Sequence, residues 1–210
     1  MSCAWTFQEG HYDCLASGHS LSAVGSGDSV VDGVYISTTN DELEKQNLTT
    51  DGNWSLQPSA TADRKLQTVS AWVKIVQTTE NTGAFQVNYA GNTHQQLPLW
   101  ASRDNTSAFL NTSGGNYDIN NTADYSVDDV LHVVYVKRAT DFVLYENGSQ
   151  VAIVSSIPSS YYVDSNSLAT LRIGGINTYN GAVEIDECRM YWTDLSASEI
   201  AKQYEEGPHR

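Results

Sequence analysis

The chain has 210 residues, of which 40% are hydrophobic and 17% charged. That length holds one domain or two small ones, and the apolar fraction excludes wholesale disorder. Its 25 acidic residues against 11 basic ones leave a formal net charge of −14. That balance excludes nucleic acid as a direct partner, because neutralising phosphates takes clustered Lys and Arg. Only Arg64-Lys65 and Lys137-Arg138 adjoin. Anionic lipid is disfavoured for the same reason, and no apolar run reaches the roughly 18 residues that cross a bilayer.

The N-terminus has no basic stretch and no apolar core of signal-peptide length, so synthesis in a reducing cytosol is expected. Three cysteines, Cys3, Cys14 and Cys188, are an odd count and too few for a disulfide scaffold. Cys3, His11, Asp13, Cys14 and His19 are zinc-ligand types within the first 20 residues. Their spacing matches no zinc motif built on close Cys pairs, which favours an ordinary N-terminal segment. Six Asn-x-Ser/Thr triplets, at Asn47, Asn53, Asn105, Asn111, Asn120 and Asn147, reflect a chain rich in Ser, Thr and Asn.

Period-two alternation of β-branched and aromatic residues dominates the rest. In chain order, strands are predicted near Val30–Ile36, Val69–Ile75, Phe85–Tyr89, Ala108–Leu110 and Leu131–Val136. Both faces of Leu131–Val136 are apolar, which predicts a central, buried strand. Phe142–Glu146 and Gln150–Ser155 flank Asn147-Gly148, a dipeptide that accepts the positive φ angles of a tight hairpin. Two more strands are predicted near Thr170–Gly174 and Val183–Trp192. Gly25-Ser-Gly27-Asp28, Asp51-Gly52-Asn53 and Gly114-Gly115-Asn116 supply turns between strands. One helix closes the chain: Ser196 and Glu199 form a capping box, Leu195 and Ile200 a hydrophobic staple, and Gly207-Pro208 a stop. Short strands with one helix predict an all-β, two-sheet antiparallel sandwich. With no linker and no repeat, residues 1–210 read as one domain, residues 1–60 completing or decorating it.

The C-terminal part resembles a known family. Residues 130–155, with Val-Leu-His-Val-Val-Tyr-Val-Lys-Arg and then Leu-Tyr-Glu-Asn-Gly, are similar to the central hairpin of laminin-G-like, concanavalin A-like jelly rolls. Leu171-Arg-Ile-Gly-Gly, Ile185-Asp-Glu-Cys-Arg-Met-Tyr191 and Leu195-Ser-Ala-Ser-Glu-Ile200 follow in that family's order. Val130 and Leu131 replace its usual Trp and first His, and the loop from Gly181 to Ile185 is about two residues longer. The resemblance implies a concanavalin A-like jelly-roll sandwich with a short C-terminal helix. It also implies a structural Ca²⁺ on the convex side at Asp186, with Asp28 or Asp32 supplying further oxygens. The alternative is that Asp186 hydrogen-bonds loop amides without metal.

Glu184-Ile185-Asp186-Glu187 is similar to the Glu-x-Asp-x-x-Glu of concanavalin A-like glucanases. The third acid would fall at Arg189, or at Cys188 in the shorter form. Strand alternation points Glu184 and Asp186 to one face and Glu187 to the other. Without the third acid, and displaced into the terminal strand, the run reads as the family's structural Ile-Asp-Glu signature and not a glycosidase site. Trp72 and Trp5 read as strand packing. No nucleophile elbow, phosphate loop or dinucleotide fingerprint occurs. The protein is therefore expected not to be an enzyme.

Carbohydrate recognition needs an aromatic platform beside amide and carboxylate groups. Candidate loops hold Trp100, Tyr117, Asp118, Tyr162, Tyr179 and Asn180. Two functions follow as expectations. One is a non-catalytic structural or adhesion protein on a virion surface, a phage capsid decoration or fibre-type protein, contacting other virion proteins or copies of itself as a homo-oligomer. The other is a soluble, calcium-dependent binder of surface glycans or a glycan-active enzyme.

Overall fold

A computed structural model gives the architecture. The structure describes residues 2–5, 13–14, 19–20, 22–24, 29–31, 34–37, 42–46, 67–76, 85–89, 100–102, 105–112, 115–158, 168–173, 182–191 and 193–208. It describes side chains in 67–76, 106, 117–158, 182–191 and 193–208.

The largest sheet has ten strands. Its path runs β15 (Ser149–Val154), β14 (Phe142–Glu146), β13 (Val130–Lys137), β8 (Gln67–Ile75), β17 (Val183–Tyr191), β1 (Ser2–Trp5), β2 (Asp13–Cys14) and β3 (His19–Ser20). The hairpin of β5 (Ser29–Val31) and β6 (Val34–Ser37) joins β17 at Val183–Ile185, while β1 pairs with it from Cys188 to Tyr191. A four-stranded sheet orders β4 (Ser22–Val24), β7 (Glu42–Gln46), β16 (Leu168–Ile173) and β9 (Phe85–Tyr89). A three-stranded sheet holds β10 (Trp100–Ser102), β11 (Asn105–Thr112) and β12 (Gly115–Thr122). Every pairing given is antiparallel, as predicted.

Apolar patterning explains why β8, β13, β14 and β17 sit at the centre. One face of them carries Val69, Ala71, Val73, Leu131, Val133, Tyr135, Phe142, Leu144, Val183 and Ile185, all buried. Tyr135 and Phe142 meet edge to face with ring centroids 4.2 Å apart. The opposite face holds Val134, Val136, Val143 and Tyr145, which pack against Ile200 and Leu195. Each large aliphatic chain buried in this way contributes about 1.5–3 kcal/mol.

The helix that provides Ile200 is α1 (Ala197–Glu206). Its predicted capping box forms: the Glu199 N–H donates to Ser196 Oγ at 3.3 Å, and the Ser196 N–H donates to Glu199 Oε2 at 2.8 Å. The Ser196 hydroxyl, which donates to Glu199 Oε2 at 2.6 Å, and then the Ser196 N–H hold the Glu199 carboxyl below its ordinary range. Thr68 fastens the lead-in, donating to the Thr193 carbonyl at 2.8 Å and accepting from the Leu195 N–H at 3.0 Å. Gly207 ends the helix at φ 70°. Asn147 and Gly148 adopt φ of 49° and 78° in the tight hairpin between β14 and β15. A Cβ at Gly148 would meet Tyr204 at 3.2 Å, so this glycine also lets α1 approach.

Three differences from the sequence reading have physical causes. Val30–Ile36 is not one strand but parts of two, β5 and β6, which pair antiparallel with Val31 opposite Val34. Gly115 and Asn116 lie in β12, not in a turn, because Gly115 pairs with Thr112. In β17 the register slips by one residue between Asp186, opposite Trp72, and Arg189, opposite Ser70. Glu187 sits at this bulge with φ 49°, so simple alternation stops there.

Candidate carbohydrate-binding face

The three-stranded sheet brings part of the predicted site together. Trp100 pairs with Ser107, which pairs with Asn120, and one step along the same face Phe109 pairs with Asp118. On β12 that face is solvent-exposed at Asp118, Asn120 and Thr122. Alternation turns Ile119 inward to burial and leaves Tyr117 half-buried on that inner side. Tyr117 and Asp118, read as neighbours on a loop, therefore serve opposite faces of a strand. Tyr162, Tyr179 and Asn180 lie outside the described residues. Asn120 and Thr122 were missed in the sequence. The signal that could have found them is the polar period-two row Asp118-x-Asn120-x-Thr122 around inward Ile119.

A buried polar cluster fixes the inner side of this sheet. Glu146 of β14 is 8% exposed and accepts the Tyr125 hydroxyl at 2.8 and 2.9 Å and the Asn121 amide at 3.0 Å. The Tyr125 hydroxyl also lies 3.4 Å from Thr106 Oγ1. Removal from water pushes the Glu146 carboxyl upward, and the Tyr125 and Asn121 hydrogen bonds partly oppose this. Burial drives the Tyr125 phenol to about 12, so it remains a donor. The cluster ties β12 and the segment after it to the large sheet, holding the exposed face on a rigid support.

The acidic run of β17 is arranged differently from a catalytic pair. Glu184 accepts Lys74 Nζ at 3.3 Å, and the same ammonium lies 3.1 Å from Asp128. Asp128 and Glu184 together raise the Lys74 pKa. Glu187 is 4% exposed and bonds Arg189 at 2.6 Å. Asp186 shares a cross-strand row with Trp72 and lines a shallow depression with Trp72, Val73, Lys74, Val130, Glu184 and Pro208. The depression has water-sized room, too little for a sugar ring.

Calcium needs six to eight oxygens. Among the described residues no three metal-ligating side chains gather, and Asp186 alone represents the set implied by the resemblance. Asp28 and Asp32 lie outside the described residues, although β5 between them is two strands from β17. The described side chains by themselves do not make a calcium shell.

No curated protein sequence matches the chain. Several solved structures share its fold. The botulinum neurotoxin serotype D binding domain aligns with a TM-score of 0.72 and 15% identity over 97% of this chain and 50% of that one. The binding domain of Paraclostridial Mosquitocidal Protein 1 gives 0.69 and 14% over 97% and 51%. A botulinum neurotoxin type C chain, whose cell entry depends on interaction with two ganglioside molecules, gives 0.67 and 11% over 98% and 51%. The chain thus spans about half the length of the structures it matches. The profile of the concanavalin A-like lectin/glucanases superfamily matches residues 48–201. With that match across most of its length, the chain belongs to the concanavalin A-like lectin/glucanase superfamily.

Proposed function

We propose that the chain is a non-catalytic, lectin-like binding domain that recognises glycans on the outward face of β10–β12. The observation that carries this reading is the exposed row of Asp118, Asn120 and Thr122, in register with the strand that begins at Trp100. Carboxylate and amide groups can hydrogen-bond sugar hydroxyls, and an aromatic ring can cover the apolar face of a pyranose. The ganglioside-dependent toxin, though matched over only half its length, supports a glycan as the ligand class.

Against hydrolysis, Glu184 is engaged by Lys74 and the buried Glu187 by Arg189, which favours structural roles for both. A glycan array probed with the full chain tests the reading. Retention on a defined group of glycans without release of reducing sugar is expected. Turnover of a bound polysaccharide would overturn it. Repeating the array with chelator tests calcium dependence, which requires oxygens from the N-terminal segment beside Asp186. Placement on a virion surface, assembled with other virion proteins or with copies of itself, is the finer form of this reading. Mass spectrometry of purified particles tests that placement.

A further inference from the structure

The contact between α1 and the hairpin end of the large sheet is built around a histidine. His132 is 2% exposed and forms a three-ring cluster with Trp72 and Tyr204. Its centroid is 4.9 Å from that of Trp72 and 6.3 Å from that of Tyr204, while Trp72 and Tyr204 stack at 5.7 Å. Its main chain is locked, the N–H donating to Asn147 Oδ1 at 3.0 Å and the carbonyl accepting the Asn147 N–H at 2.8 Å. Its ring is not so satisfied: Nδ1 is buried with no hydrogen-bond partner. A neutral imidazole can leave Nδ1 as an unmet acceptor at modest cost, whereas an imidazolium there would be a buried charge without an acceptor.

We propose that His132 is an acid-sensitive latch for the C-terminal half of α1, whose protonation lifts Tyr204 from Trp72 and opens the depression walled by Pro208. This inference is independent of the glycan face. Tyr204 is the group that would move, because it is 39% exposed while Ile200, the one buried residue of α1, is one turn earlier. α1 seats close over Gly148, where an added Cβ would meet Tyr204 at 3.2 Å and Ala201 at 3.3 Å.

The charges around the ring do not offer the proton a counter-ion that is free. From β17 come Arg189, which opposes it, Glu187, which is bonded to Arg189, and Asp186, in the Trp72 row. From β8, Lys74 is engaged by Asp128 and Glu184. From β14, the Tyr145 hydroxyl accepts Arg138. On α1, Lys202 pairs with Glu206 near the surface, and Tyr204 is the titratable group against the ring. Burial first and Arg189 second hold His132 down to about 4. A histidine lowered in the fold supports stability above its ordinary value near 6.5 and loses that support as pH falls toward its folded value.

Hydrogen exchange of the full chain, corrected for intrinsic rates, reads the latch. Opening of peptides from α1 is expected to rise about tenfold or more between pH 7 and pH 4.5, with the core of β13 and β14 remaining protected. His132→Phe, which keeps an aromatic ring in the stack, is expected to abolish the step. Unchanged α1 protection across that range in the wild type, or an equal step in the variant, would overturn the proposal. If the variant does not fold, the wild-type His132 ring titration by NMR decides. A midpoint well below 6.5 supports the latch, and one at or above 6.5 contradicts it.

Discussion

Two single residues show how local chemistry sets the geometry of the binding face and of the helix seat. Glu146 is buried, yet the Tyr125 hydroxyl, shared between its two oxygens, and the Asn121 amide make its carboxylate tolerable. Its carboxyl is raised in the fold, so the folded state holds a proton more tightly than the unfolded chain does. Stability therefore falls as pH climbs from the ordinary carboxylate range through the raised value, and is level above it. Tyr125→Phe removes a donor that opposes the shift. It is expected to cost about 1–3 kcal/mol near pH 8 and to extend the falling limb to higher pH. Urea denaturation at a series of pH values checks both. Gly148→Ala combines a forced positive φ with contacts of 3.2 Å to Tyr204. A loss of about 1–3 kcal/mol is expected, accompanied by faster exchange in α1, and thermal unfolding with hydrogen exchange reads it.

At the scale of elements, α1 depends on its N-terminal cap in addition to Ile200. Ser196→Ala is expected to lower stability by about 1 kcal/mol, measured by chemical denaturation with an unchanged m-value. This helix was readable in the sequence because its box, staple and stop are all local. The central strands were readable for the related reason that buried strands carry runs of β-branched residues on both faces. β12 was not. Gly115-Asn-Tyr-Asp-Ile-Asn-Asn-Thr122 has one strongly apolar residue, so its strand character comes from pairing with β11, which local propensity does not encode. The same gap hid Asn120 and Thr122 and misplaced Tyr117. The bulge at Glu187 was equally invisible, because a register slip against β8 is set by the partner strand.

For the molecule as a whole, the net charge of −14 is partly internal. Glu184 and Asp128 are shared by Lys74, Glu187 is held by Arg189, and Glu146 is buried among neutral donors. Among the other described acids, Asp118, Asp124, Asp194, Glu199, Glu205 and Glu206 are exposed, with Asp118 the one placed on the candidate binding face. The most direct test is glycan-array affinity of the wild type beside Asp118→Ala/Asn120→Ala, two exposed changes on the outer side of β12. Selective glycan binding by the wild type, weakened at least about tenfold in the double variant while its unfolding transition is unchanged, is the predicted result. Absence of binding by the wild type, or equal binding by the variant, would contradict the account.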